Sequence, residues 1–212
     1  IKTVINCINI KNILKMAQES IEEDLFSEDK VNLISVGRLE YVKGQDILLR
    51  AIKYLVDKNS FTNIRCIIIG TGSNEKYLKR LNDDLGLDKY VEFIGKKSNP
   101  YKYMRNCDIA IVPSRVEGFG LVVLEAILAQ NIVVASDLNA IKELISKKQE
   151  YFLFESENYI DLANKLEYII SNIERARELA KVNEENIYYY DINRYSLDIC
   201  NIYNEIYRSK ND

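Results

Sequence analysis

The sequence predicts an α/β domain built on a doubly wound parallel sheet. Three observations lead there. From about residue 31 onward, short apolar runs rich in β-branched and aromatic residues recur, bounded by Gly, Pro, Asn or Ser. These runs are almost continuously hydrophobic, as strands covered on both faces are. Segments with apolar residues at helical spacing separate them, and such a βαβα rhythm winds right-handed around a parallel sheet. The 212 residues suffice for one sizeable domain with a buried core and are short for two.

The elements follow in order. VINCIN (residues 4–9) reads as a lead-in strand, followed by a helix-prone acidic stretch ending in SEDK at residue 30. VNLISV (31–36) is the first sheet strand. Ile47, Leu48, Ala51, Ile52 and Leu55 then repeat at helical spacing. IRCIIIG (64–70) is the second strand, and the helix after it is expected to be capped by Asn74 and stopped near Gly86. YVEFIG (90–95), IAIVP (109–113), IVVAS (132–136) and YFLF (151–154) complete the strand set. A helix is expected to begin at Phe119-Gly120, with Leu121, Leu124 and Leu128 on its buried face. In the last segment Tyr195, Ile199, Ile202, Tyr203 and Ile206 share a helical stripe, a pattern that usually means core packing. In such a sheet ligands sit at the carboxyl ends of the strands. Gly37-Arg38, Gly70 to Gly72, Gly95-Lys96 and residues 114–120 all follow strand ends, so one face collects every candidate motif.

Composition removes several function classes. A formal net charge of -3 and the lack of a basic stripe argue against nucleic acid as a partner. There is no histidine, which removes imidazole bases and most zinc-site patterns. No apolar run approaches bilayer length. Cys7, Cys66, Cys107 and Cys200 form no CxxC pair and read as reduced thiols. The chain opens at Ile1 without an initiator methionine or signal-peptide pattern, so it reads as part of a longer protein.

The chemistry concentrates in EGFGLVVLE (117–125). Glu117 stands in a loop, Phe119, Gly120 and Leu121 at a helix start, and Glu125 inside the helix. Free N–H groups and the helix dipole make that start suitable for an anion. Carboxylates on either side would suit hydroxyls flanking a phosphate group, the layout of a nucleotide-sugar. Arg38 and Lys43 flank the first strand-to-helix turn, where two cations would offset a diphosphate without a metal, and Gly37 permits close backbone approach. GTGS (70–73) lacks the third glycine of a dinucleotide fingerprint and follows the second strand, so it reads as a backbone loop or a capping turn around Gly72.

In this order and spacing VGRLEYVKG (36–44), IIIGTGSNEKYLKRL (67–81), VEFIGK (91–96) and the E-x7-E of residues 117–125 resemble the retaining glycosyltransferases of the GT-B fold, family 4 in particular. The resemblance covers residues 31–146 closely and the tail more weakly. It implies the C-terminal, donor-binding, Rossmann-like half of such an enzyme. Residues 1–30 would then lead in from a missing N-terminal domain, 31–173 bind the donor, and 174–212 form helices packing back on the domain. It assigns Arg38 and Lys43 to the donor phosphates, the backbone at Lys96 to the base, and Glu125 to the ribose hydroxyls. Glu117 goes to the donor sugar, and the N–H groups of Phe119, Gly120 and Leu121 to sugar and phosphate. The catalytic set would be Glu117, Arg38 and Lys43, with no metal and no cofactor beyond the donor, a UDP- or GDP-linked sugar. A glycan or lipid-linked acceptor would be held by the missing domain, and the parent would be cytoplasmic, with peripheral association at the inner face of the membrane. A non-catalytic nucleotide-sugar-binding module and a GT-B nucleotide-sugar epimerase are the alternatives. Two departures bear on the donor sugar: Asn139-Ala140 stand where the family often has paired glycines, and KKQEYFLF (147–154) replaces its glycine-rich turn.

Overall fold

The structure is a computed structural model and describes residues 4–22, 25–26, 29–58, 62–145, 147–181 and 187–211. Residues 23–24 and 27–28 of the acidic stretch therefore lie outside the described residues, as do 182–186 of the tail.

The strands are β1 (Val31–Val36), β2 (Ile64–Ile69), β3 (Val91–Phe93), β4 (Ile109–Val112), β5 (Ile132–Ser136) and β6 (Leu153–Phe154). They form one sheet in the order β3-β2-β1-β4-β5-β6, every pairing parallel. The chain winds outward from β1 to one side and then returns to start again at β4. The β1/β4 junction is therefore the point where the winding reverses, the place where open α/β sheets bind ligands.

Side chains alternate across the sheet and build two cores. Leu33, Ile68, Ile111 and Val134 face one layer, where α2 (Gln45–Asp57) and α7 (Tyr159–Ser171) pack Leu48, Ile52, Leu55, Leu162 and Leu166. Ile34, Ile67, Val112 and Val133 face the other. There α1 (Ile10–Ala17), α4 (Tyr101–Arg105) and α5 (Leu121–Leu128) supply Ile13, Met104, Leu124 and Ile127. Each such fully buried aliphatic side chain contributes about 1.5–3 kcal/mol. α3 (Glu75–Asp84), α6 (Asn139–Lys142) and α8 (Ile173–Ala180) complete the layers.

Several expectations are corrected. VINCIN does not join the sheet: its contact is a single bridge, Ile8 to Asp191. The helix-prone stretch behind it does form a helix at its start, because the Asn9 side chain accepts from the Asn12 N–H and caps it, and this helix ends at Ala17. Asn74 does occupy the N-cap of α3 but makes no side-chain cap bond; its own N–H donates to the Leu39 carbonyl instead. Tyr151 and Phe152 belong to a 3-10 turn (Lys147–Phe152), and β6 keeps only two residues. β2, β3 and β4 are also shorter than expected, each ending before its Gly or Pro. Leu121 is 41% exposed, so the buried face of α5 rests on Val123, Leu124, Ile127 and Leu128. The last helix, α9 (Ile192–Asn211), packs on the 3-10 turn Tyr188–Tyr190, and none of its five stripe residues is buried; Tyr203 and Ile206 are exposed.

Candidate functional site at the strand C-termini

The loop leaving β1 is pinned from both sides. The Gly37 N–H donates to the Ile69 carbonyl at the end of β2 and the Leu39 N–H to the Thr71 carbonyl just beyond it, and Gln45 Nε2 donates to the Arg38 carbonyl at 3.1 Å. After the 3-10 turn Tyr41–Lys43, Gly44 adopts φ +66°, and a Cβ there would stand 1.9 Å from the Pro113 carbonyl oxygen. Only glycine fits, so the loop after β1 lies directly against the exit of β4.

Arg115, on the loop after β4, clamps the two together. Its backbone N–H donates to the Val42 carbonyl at 2.8 Å and its Nη1 to the Tyr41 carbonyl at 2.7 Å. The guanidinium grips both oxygens of Asp46 at 2.9 and 2.8 Å, reaches Glu157 at 3.0 Å, and lies 3.9 Å from the centre of the Tyr41 ring. Hydrogen bonding to Asp46 pushes its pKa further up, so the charge is permanent. Sequence reasoning missed this residue, because its partner Asp46 is 69 positions away and no local pattern links them.

This clamp brings Lys43 and Glu117 face to face across the winding reversal. Lys43 Nζ lies 2.5 Å from Glu117 Oε1, and Ser114 Oγ donates to the same oxygen at 2.8 Å. The pair is mostly screened from solvent, with side chains 23% and 9% exposed. Ser114 was given no role of its own from the sequence, though it opens the 114–120 segment that follows β4.

A cavity of about 330 Å³ opens beside them at the ends of β1, β2 and β3, lined by Gly37, Arg38, Gly70, Thr71, Lys96 and Pro100 among others. Arg38 is largely in solvent and pairs with Glu40 at 2.8 Å. Neither Lys43 nor Glu117 lines this cavity. Gly72 lies outside it, tight against the next loop, where a Cβ would stand 2.4 Å from the Leu39 carbonyl oxygen.

Gly120 is the N-cap of α5 with φ +90°, and as a glycine it supplies no side-chain oxygen to the first N–H groups of the helix. Phe119 is half-buried, its ring edge-on to Tyr190 at 5.7 Å. Glu125, just over one turn into α5, accepts from the Tyr101 hydroxyl at 3.1 Å. Burial pushes the Glu125 carboxyl up, and the hydrogen bond from Tyr101 opposes it. Burial and the nearby Glu125 push the Tyr101 phenol up to about 12.

The structure thus gathers the residues in three adjoining groups: Gly37, Arg38 and Lys96 at the cavity, Lys43 with Glu117 and Ser114, and Gly120 to Glu125 along α5. Cations, a helix N-terminus and two carboxylates at one end of the sheet can hold a polyanion with hydroxyls on both sides. Among the described residues no group of three or more Cys, Asp or Glu could hold a metal ion. No described helix is long and apolar enough to cross a membrane.

Comparison with known proteins bears on family and fold. The family described as glycosyl transferases group 1 matches residues 16–186. An uncharacterized glycosyltransferase of Haemophilus influenzae is 30% identical over 167 residues, 77% of this chain and 47% of the relative. A Campylobacter jejuni N-acetylgalactosamine-N,N'-diacetylbacillosaminyl-diphospho-undecaprenol 4-alpha-N-acetylgalactosaminyltransferase is 32% identical over 154 residues, 72% of this chain and 40% of the relative. This chain therefore spans about half the length of the curated relatives it matches, or less. Among solved structures, Anabaena HepE in complex with UDP superposes with a TM-score of 0.81 at 23% identity, covering 96% of this chain and 57% of that one. Sucrose-phosphate synthase of Thermosynechococcus elongatus gives 0.82 at 20% identity, covering 98% and 53%. At these identities the likeness is one of fold, the GT-B glycosyltransferase fold.

Proposed function

The chain belongs to the glycosyl transferases group 1 family, and we propose that it is the donor-binding half of a retaining glycosyltransferase acting on a nucleotide diphosphate sugar. The observation that carries this reading is the Lys43–Glu117 pair at the β1/β4 reversal, a cation and a carboxylate held ready where open α/β sheets bind ligands. The base and ribose occupy the cavity at Lys96, with Glu125 accepting from the ribose hydroxyls. Arg38, Lys43 and the N-terminus of α5 face the diphosphate, and Glu117 turns to the sugar once phosphate takes its place on Lys43. The solved complexes of Anabaena HepE contain UDP and UDP-glucose, which favours a UDP-linked donor.

In the reaction the bond from the anomeric carbon to the diphosphate oxygen breaks with its electron pair on the diphosphate. The acceptor oxygen bonds to the anomeric carbon on the same face, and its proton leaves with the diphosphate. Arg38, Lys43 and the helix N-terminus stabilise the charge that builds on the leaving oxygen. The acceptor is a glycan or a lipid-linked saccharide, held by a part of the protein outside this chain. The Campylobacter relative, whose name carries diphospho-undecaprenol, favours the lipid-linked form.

Incubating the full-length protein with nucleotide-sugars and an acceptor extract tests this. Acceptor-dependent release of nucleoside diphosphate with retained anomeric configuration is expected. Epimerised nucleotide-sugar, or binding without any turnover, would replace the reading.

A further inference from the structure

Resting on the nucleotide-sugar reading above, we propose that Tyr101 is a positioning residue, fixing the Glu125 carboxylate in place for the ribose hydroxyls of the donor. No sequence motif singled Tyr101 out. It opens α4 immediately after Pro100, which lines the cavity, so it stands between the cavity and α5. Its backbone is anchored: the Tyr101 N–H donates to Asn99 Oδ1 at 3.1 Å. Asn99 is itself 7% exposed and donates to the Met16 carbonyl at 2.8 Å and to Glu19 at 2.9 Å. From that fixed base the phenol spans 24 positions of sequence to reach Glu125 Oε1 at 3.1 Å.

A glutamate side chain has three rotatable bonds, and one that must receive a ligand loses affinity to that freedom. A single donor on Oε1 removes the freedom and leaves Oε2, with the second lone pair of Oε1, to accept from a vicinal diol. The same bond opposes the effect of burial on Glu125 and so favours its ionised, accepting form. Tyr101, from α4, is the titratable group that faces Glu125; its α5 neighbours Leu124 and Ala126 are buried and apolar. The plain alternative is that the bond only staples α4 to α5.

Titration of this chain with UDP-glucose separates the two, since that ligand has no phosphate titrating near neutrality. Tyr101→Phe keeps the ring and removes one donor. It is expected to bind UDP-glucose about three- to tenfold more weakly at neutral pH. Its affinity should also fall away at a higher pH than that of the unaltered chain on acidification, because the Glu125 carboxyl then protonates earlier. Binding of inorganic pyrophosphate should not change. Absence of UDP-glucose binding by the unaltered chain, or unaltered affinity in Glu125→Gln, would overturn the nucleotide-site reading beneath the inference. If Glu125→Gln binds weakly while Tyr101→Phe matches the unaltered chain in affinity and pH dependence, the inference alone fails. Equal losses of UDP-glucose and pyrophosphate in Tyr101→Phe would reduce the bond to a staple and also defeat it.

Discussion

The two ends of the parallel strands both carry ion pairs, yet their charges are used differently. At the N-terminal end Asp108 accepts from the Asn32 N–H at 2.9 Å and pairs with Arg177 at 2.5 Å. Nearby Asn131 donates to the Met104 and Cys107 carbonyls at 2.8 and 2.7 Å. A cavity of about 360 Å³ lies there too, and it is the larger of the two, with Arg105, Asp108 and Arg177 in its wall. Asp108 and Asn131 are thus committed to backbone groups of β1, of α4 and of the turn before β4. At the C-terminal end Lys43 and Glu117 pair with each other, on the segments that follow β1 and β4. A charge that closes the backbone ladder cannot leave without cost, whereas two loop charges facing each other can exchange partners with a ligand.

Substitutions at the two ends should therefore move different observables. Asp108→Ala is expected to have the largest effect on stability, about 2 kcal/mol, by removing the carboxylate that accepts from the Asn32 N–H and one of the two carboxylates that pair with Arg177. Chemical denaturation would show it, while nucleotide affinity of the folded molecules stays unchanged. A loss of affinity with intact stability would break the comparison. At the other end, Lys43→Ala and Arg38→Ala should each weaken nucleotide diphosphate binding by roughly 1–3 kcal/mol through lost charge-assisted hydrogen bonds. Calorimetry decides this. Arg38, being largely in solvent until a ligand arrives, should sit at the low end of that range.

The two carboxylates sharpen the picture. Glu125→Gln should weaken free nucleotide and nucleotide-sugar alike, by about 1 kcal/mol. Glu117→Gln should affect only the sugar-bearing ligand or turnover. Equal losses with both ligands at both positions would remove the division of roles. The smallest effect is on stability: burial raises the folded-state pKa of Glu125, so its contribution is full at low pH and is lost as pH rises through that value. Glu125→Gln should therefore melt slightly higher than the unaltered chain at neutral pH. That gap should close on acidification below the ordinary carboxylate range, and a scan of melting temperature against pH measures it.

The strand set and its winding were legible because β-branched runs such as IRCIII and IAIV are buried on both faces and leave no alternative to a sheet interior. Where local pattern misled, tertiary context explains it. VINCIN has strand composition, but Asn9 starts a helix directly behind it and leaves it one bridge partner. Phe152 has strand character yet lies in a 3-10 turn, buried in the core shared with α7. The stripe on α9 was periodic without being covered, since periodicity reports a face and not what lies against it. At the site, the strand pattern put the segments carrying Lys43 and Glu117 on one face of the sheet, and the structure adds that β1 and β4 are neighbours and the two side chains are in contact. Arg115, Ser114 and Tyr101 were not legible as site residues. Each acts through a partner on another loop or helix, and no sequence period links positions joined only by the fold.

The central claim is that side-chain charge at the β1/β4 reversal holds a nucleotide diphosphate. Calorimetric titration of this chain with UDP, with and without EDTA, tests it most directly when repeated on Lys43→Ala. Binding in the micromolar to millimolar range, roughly -4 to -8 kcal/mol, is predicted to persist in chelator and to weaken in the variant. Binding abolished by EDTA, or equally tight in Lys43→Ala, would contradict the account.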